Sequence, residues 1–398
     1  MFDQLRSRVR NSDIDFRLLV PLLLNSLVVQ TVVAIVRITT SYRAVELNLS
    51  VVWLGAISAA FAILPIFMAV AVGRFIDRGH DAPAAWIGSG LLAMCCAGFA
   101  MWSSAEALLA LTALLGVAHM FLMIGQQMLC VRSGGARGME HVVANYMVVC
   151  AIGQAIGPLI IAWVGGSATI PPTQPLFITG AIGSVIALAL AFAMRPVRDR
   201  AHVEKGGPVV PVSELLRTPG LRAVLMVSVI TVTAQDLIII YLPLLGAERS
   251  IDVRDIGALL TVRAAASMLA RLIYPIAIHA IGRQRLMIAT PLVSALAFVG
   301  LALPLSLAPM FVSIAVIGCA LGIVMTLSIT TVVELAAVGV RGTANSLRIM
   351  GNRVGQVAVP FGAGLVAAAS GVAGILVIIA ISLAASAAAV YLTRPGRS

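Results

Sequence analysis

Residues 106–131 read EALLALTALLGVAHMFLMIGQQMLCV. After Glu106 the stretch carries no acid, lysine or arginine, and one histidine, His119, sits near its middle. As a helix rising about 1.5 Å per residue, it is long enough to cross a bilayer core of about 30 Å. It is apolar all round, without the alternation that a membrane barrel strand requires. In lipid the backbone must satisfy its own hydrogen bonds, so a run of this kind is a helix.

Working outward, the same kind of run recurs along the whole chain. The expected spans are 16–41, 50–72, 83–104, 106–131, 141–166 and 174–195, then 221–246, 255–279, 285–305, 309–334, 342–368 and 372–393. Only 11% of the 398 residues are charged, 60% are hydrophobic and the mean hydropathy is +1.05. Soluble domains carry about 25% charged residues. The fold class that follows is all-α and membrane-integral, with twelve transmembrane helices. The polar, basic start MFDQLRSRVRNSDIDF reads as a cytoplasmic tail rather than a cleavable signal.

The formal net charge of +11 would suggest nucleic acid in a soluble protein, but here it reports topology. With the N-terminus inside, inner tails and loops collect about 20 of the 27 lysines and arginines; Arg43, Arg249 and Arg254 lie outside. Both termini are therefore expected in the cytoplasm. One lysine among 27 basic residues and short loops fit a bacterial inner (plasma) membrane. The stretch 195–220 is the long polar segment, and its SELLRTPGLR portion suggests a short surface helix. The division expected is a six-helix bundle over 1–194, a cytoplasmic linker over 195–220 and a second six-helix bundle over 221–398. The five cysteines, Cys95, Cys96, Cys130, Cys150 and Cys319, lie in or beside apolar runs, lack metal-ligand spacing and read as packing residues. No metal and no cofactor is implied.

The halves echo each other. Gly153 to Pro158 reads GQAIGP and Gly355 to Pro360 reads GQVAVP, an offset of 202 residues. The same offset carries GRFIDRGH, from Gly73, onto PIAIHAIGR, from Pro275. Duplication of a six-helix unit explains both pairs, and parallel repeats of this kind imply a solute site at the repeat interface near the bilayer midplane.

On these residues the chain resembles the major facilitator superfamily over nearly its full length. Gly73, Asp77 and Arg78 match the family's signature between helices 2 and 3, although the following Gly79-His80-Asp81 departs by a residue and lacks the usual basic pair. In the second copy Gly282 and Arg283 match the signature's tail, while Pro275 and His279 replace its Gly and Asp. The resemblance implies a cytoplasmic latch in which Asp77 faces the positive end of helix 11 and Arg78 lies nearby. Gly153, Gly157 and Pro158 are similar to the helix 5 motif of the family's proton-antiport exporters, though its close Gly-Gly after the proline is missing. The alternative is a close helix crossing that carries no message about direction. A monomer is the family expectation.

Charge at bilayer depth is costly and faces a cavity or a partner. Asp236 in the seventh span is the one acid near the middle of any span, and Arg263 in the eighth lies at nearly its depth. Asp236 is the candidate proton carrier, with Arg263 as its counter-charge; the other reading is a brace between helices 7 and 8. Arg353, central in the eleventh span, joins Arg263 in a positive field suited to a carboxylate or phosphate. Its alternative is a pair with Glu334. His119 is either a second titrating group or a packing residue. Arg37 either joins the pathway or snorkels to the outer interface. Arg271 braces the inner gate, and Asn25, Gln30, Gln126 and Gln235 supply neutral contacts. Glu248, Arg249, Asp252, Arg254 and Asp255 read as a solvated outer loop.

These features predict a secondary active transporter: a proton-coupled exporter of a small anionic or amphiphilic organic solute, with a proton-coupled importer of an organic anion such as a carboxylate as the alternative. The partners expected are solute, protons and lipid. With aromatics at 5%, an aromatic cage for cationic drugs is poorly supported. There is no GxxxxGK[ST] phosphate loop, HExxH or GxSxG, and His80, His141, His202 and His279 fall in loops or at span ends, so neither a nucleotide-driven pump nor an intramembrane enzyme is expected.

Overall fold

A computed structural model describes residues 16–49, 51–165, 171–194, 210–251 and 253–393. The N-terminal tail and the linker stretch 195–209 lie outside them. The helices are α1 Phe16–Glu46, α2 Val51–Asp77, α3 Asp81–Met101, α4 Ala105–Ser133, α5 Gly135–Gly165 and α6 Thr173–Ala193, then α7 Leu221–Glu248, α8 Val253–Ile281, α9 Arg283–Ala302 and α10 Leu307–Leu335. Arg341–Leu392 follows, broken at Gly371 (φ 66°) into α11 (341–370) and α12 (Gly371–Leu392). One helical turn, Val212–Leu215, lies in the stretch read as a surface helix. Among the described residues eleven helices are long and apolar enough to cross a membrane. The expected span 342–368 is also helical, but it carries Arg348 and Arg353.

Local signals set the ends. Ser104 caps α4 by accepting from the Ala107 N–H at 3.2 Å. Helix α5 begins at Gly135, earlier than hydropathy suggested, because its first turns are polar. Gly282 (φ 89°) supplies the sharp turn between α8 and α9. Of the outer-loop charges, Asp252 lies outside the described residues, Glu248 is exposed, and Glu248 and Arg249 each also make a defined contact. The Glu248 Oε1 accepts the Val372 N–H at 3.2 Å, so the acid caps the positive end of α12 beside Gly371. Arg249 donates to the Ala302 carbonyl at 2.8 Å.

The chain divides into two compact units, Met1–Gly207 and Pro208–Ser398. In the first, α1 packs on α5 and α6, α4 on α2 and α3, and α3 on α6. In the second, α7 packs on the segment comprising α11 and α12, and α10 packs on α8 and α9. The offset of 202 relates contacts inside one unit to contacts inside the other. A Cβ added at Gly116 would strike the Phe61 carbonyl, and one at Gly318 would strike the Arg263 carbonyl, the equivalent pair. Ser184 donates to Ala181 O at 2.6 Å, and Ser386 to Leu383 O at 2.7 Å. At the start of α3 and the end of α4, Asp81 meets Arg132 at 3.2 Å. The equivalent positions are Arg283 of α9 and Glu334 of α10, 2.5 Å apart. The brace is repeated with its charges exchanged.

Candidate functional site

The second unit gathers charge near the middle of its helices. Gly355, without a side chain, lets α11 approach α7 closely: a Cβ there would fall 2.7 Å from the Thr233 hydroxyl and 2.9 Å from Val229. That approach brings the next residue, Gln356, to Asp236. The Gln356 amide N–H donates to the Asp236 Oδ2 at 2.8 Å, while its carbonyl accepts from the Arg353 Nη1 at 3.2 Å. One amide thus joins the buried guanidinium of Arg353 to the carboxylate of Asp236. The carboxylate also acts electrostatically on Arg263 of α8. Two positive charges thus act on the Asp236 carboxylate, Arg353 through the Gln356 amide and Arg263 electrostatically. Gln235, next along α7, has an amide nitrogen without a hydrogen-bond partner among the described residues. Arg353 therefore sits with Gln356 rather than with Glu334, whose carboxylate is taken by Arg283.

The first unit holds a neutral counterpart. The Gln154 amide, 202 residues before Gln356, donates to the Gln30 Oε1 at 3.2 Å. The Gln30 Nε2 lies 3.4 Å from the His119 Nε2. Donation there requires an unprotonated Nε2, which places the proton of a neutral ring on Nδ1. Phe61 lies against the same imidazole, with ring centroids 5.6 Å apart. The guanidinium of Arg37 lies 4.3 Å over the Phe61 ring, so this exposed arginine packs on an aromatic face. Asn25 and Gln126 are bonded to each other: Gln126 donates to the Asn25 Oδ1 at 2.7 Å, Asn25 donates to the Ala187 carbonyl at 2.6 Å, and Tyr146 donates to Gln126 at 3.2 Å. This buried network ties α1, α4, α5 and α6 together.

Sequence reasoning placed Asp236, Arg263 and Arg353 near one depth but missed Gln356, Gln154 and Tyr146. The two glutamines were already in view, at the same position of the repeated Gly-Gln. That position was the signal available.

The remaining expected residues are spread along the helices. Gly153 and Gly157 line the α1–α5 crossing, where added Cβ atoms would fall 2.5 Å from the Leu27 carbonyl and 2.6 Å from the Ala34 Cβ; Pro158 is exposed. Both glycines permit the close approach of α5 to α1. Gly73 is buried, Asp77 ends α2 and Arg78 is exposed. Asp81, four residues past Asp77, is the buried acid that pairs across to α4. Arg271 is buried on α8, with its guanidinium 3.6 Å from the Met325 sulfur. Arg283 donates to the Thr330 hydroxyl at 2.9 Å besides pairing with Glu334. Among the described residues no cluster of histidine, cysteine and acids could hold a metal ion.

Comparison with known proteins bears on the whole chain. The fold is shared with the human organic anion transporter MFSD10 (TETRAN), at 15% identity and a TM-score of 0.74, covering 94% of this chain and 99% of that one. The proton:xylose symporter XylE, solved with 6-bromo-6-deoxy-D-glucose, aligns at 13% identity and a TM-score of 0.75, covering 94% of each chain. FucP in its outward conformation aligns at 14% identity and a TM-score of 0.77, covering 94% of this chain and 98% of that one. No curated protein matches the sequence. The family model described as Major Facilitator Superfamily matches residues 22–249 and 224–398. With a matching family model across nearly its whole length and, among the described residues, twelve long helices in the expected order, the chain belongs to the major facilitator superfamily, as a multi-pass membrane transporter and not an enzyme.

Proposed function

We propose that this secondary transporter is a proton-coupled exporter of a small anionic or amphiphilic organic solute, working by alternating access. The observation that carries the anionic reading is the α7–α8–α11 cluster: Arg263 and Arg353 against the single carboxylate of Asp236, with Gln356 between carboxylate and guanidinium. An anionic group that docks on this cluster pairs with its arginines through the two-pronged contact a guanidinium makes. Gln235 offers a further amide to the solute.

In this reading Asp236 carries the proton. A solute anion held by the arginines and a proton held by the carboxylate compete for one electrostatic environment, which couples their movements. His119, bonded to Gln30 in the first unit, is the second titrating group. The helix 5 glycines and Pro158 support the exporter direction through the resemblance. The division into halves over 1–194 and 221–398 about the linker 195–220, both termini in the cytoplasm, a monomeric chain and a bacterial inner membrane complete the proposal.

The test is reconstitution in liposomes that contain a pH-sensitive dye, with organic anions and amphiphiles supplied one at a time. Solute-dependent proton movement opposite to the solute supports the exporter. Movement with the solute selects the proton-coupled importer of a carboxylate. Solute flux without proton movement refutes the coupling.

A further inference from the structure

Between α7, α11 and α12 the second unit contains a cavity of about 370 Å³, lined on α7 by Val229, Thr233, Ala234 and Leu237, with Val359 of α11 and a row of isoleucines on α12. The repeat shows why it is there. Moved back by 202 residues, each lining position falls on a packed position of the first unit, among α1, α5 and α6. Ala234 stands where the first unit has Val32, and Ile379 where it has Phe177, so two filling side chains are smaller. Val359 stands where the first unit has Gly157, and Ser382 where it has Gly180, so two close crossings are wedged apart. In the first unit Cβ atoms at Gly157 and Gly180 would fall 2.6 Å from Ala34 and 3.0 Å from Val36, and Val32 and Phe177 are buried. Small contacts there and large ones here turn a packed junction into a cavity.

Water is a poor occupant. It needs two to four polar partners, and the lining offers only the hydroxyls of Thr233 and Ser382. Thr233 is 6% exposed, and its hydroxyl has no hydrogen-bond partner among the described residues. Its counterpart Thr31 donates to the Leu27 carbonyl at 2.9 Å and lies 3.1 Å from the Gly153 carbonyl. A far smaller apolar cavity of about 150 Å³ takes up benzene or xenon. The surroundings identify what fills this one. Ile378 lines the cavity and is itself exposed, and its neighbours along α12, Val377 and Ile381, are exposed as well. Along a membrane-spanning helix that face meets hydrocarbon, so the cavity wall is continuous with the lipid-facing surface. We infer that the cavity between α7, α11 and α12 is a binding site for one acyl chain of a bilayer phospholipid. The inference does not depend on which solute is carried or in which direction.

The test uses the full chain in bilayers that contain a phospholipid with a photoactivatable diazirine midway along one acyl chain. After illumination, adducts are mapped by peptide mass spectrometry. Adducts are expected to concentrate on 229–237 and 375–382 relative to the exposed α8 face of Leu269, Ile273 and Ile276. Ala234→Phe and, separately, Ser382→Leu fill the cavity and abolish the concentration. Unchanged labelling of the α8 face checks that each variant is inserted and folded. No concentration over the α8 face overturns the inference, as does concentration that survives both substitutions. Displacement of the label by a water-soluble solute, with competing phospholipid having no effect, also overturns it.

Discussion

The exchanged ion pairs allow one position to be tested against its own repeat. The pair Asp81–Arg132 has its acid almost wholly buried, with side-chain exposures of 4% for Asp81 and 31% for Arg132. In Arg283–Glu334 the acid is 55% exposed and the arginine 21%. Helix dipoles widen the difference. Asp81 stands in the first turn of α3 and Arg132 in the last turn of α4, each at the end that favours its charge. Arg283 begins α9 and Glu334 lies next to the end of α10, each at the end that opposes it. Breaking a buried pair costs about 3–5 kcal/mol, and the partial exposure of Arg132 lowers this to about 2–3 kcal/mol for Asp81→Asn. The exposed counterpart Glu334→Gln costs about 1 kcal/mol or less. For a unit of about 200 residues, roughly 2–4 °C accompanies each kcal/mol, so Asp81→Asn lowers the apparent melting midpoint by about 4–12 °C and Glu334→Gln by about 4 °C at most. The assay is thermal unfolding in detergent, followed by size-exclusion recovery. The double exchange Asp81→Arg with Arg132→Glu copies the second unit's polarity into the first and recovers part of the loss, less the dipole terms of about 0.3–1 kcal/mol each. Equal losses at Asp81 and Glu334, or a double exchange worse than Asp81→Asn alone, would refute the reasoning.

Other expectations follow from the same contacts. Gly116→Leu and Gly318→Leu push a side chain into the backbone carbonyls of Phe61 and Arg263, and both are expected to abolish the monodisperse size-exclusion peak; Gly90→Ala, with nothing within 4 Å of the added carbon, leaves it intact. The two repeated glutamines should differ in worth. Gln356 donates to a carboxylate, a bond class worth about 1.5–3 kcal/mol, so Gln356→Leu lowers the solute transport rate by roughly ten- to a hundredfold. Gln154 donates to a neutral amide, an interhelical bond worth about 0.6 kcal/mol, so Gln154→Leu changes that rate by about threefold or less. Initial rates at matched protein density separate the two, and a Gln154 effect as large as that of Gln356 would count against the charged cluster as the solute site.

Much of the fold was legible in hydropathy. Every expected span corresponds to a helix, with ends displaced by a few residues, because a bilayer crossing is set by length and by the absence of charge. The repeat was legible as well, since GQAIGP and GQVAVP place Gly153 and Gly355 at equivalent close crossings. Rotation about each helix axis was not. Helices that are apolar all round carry no stripe to show which face meets which neighbour, so depth could be counted but partners could not. Depth alone pairs Asp236 with Arg263, while the hydrogen bond to the Asp236 carboxylate comes from Gln356 of α11. The same gap hid the pairing of Asn25 with Gln126 inside the first unit. The exchanged charges at Asp81 and Arg283 were present in the sequence at the offset of 202. The signature falls on Asp77, one turn before Asp81, so the motif does not point to that pair.

The central claim is that an anion and a proton share the α7–α8–α11 cluster through Asp236. The most direct measurement is proton flux driven by an organic-anion gradient in proteoliposomes, comparing the native chain with Asp236→Asn at equal incorporation. The account predicts that the native chain moves protons whenever the anion moves. In Asp236→Asn the neutral amide cannot take up the proton, so proton movement is lost while anion exchange at equal concentrations persists. An Asp236→Asn protein that still moves protons with the anion as the native chain does would contradict the account.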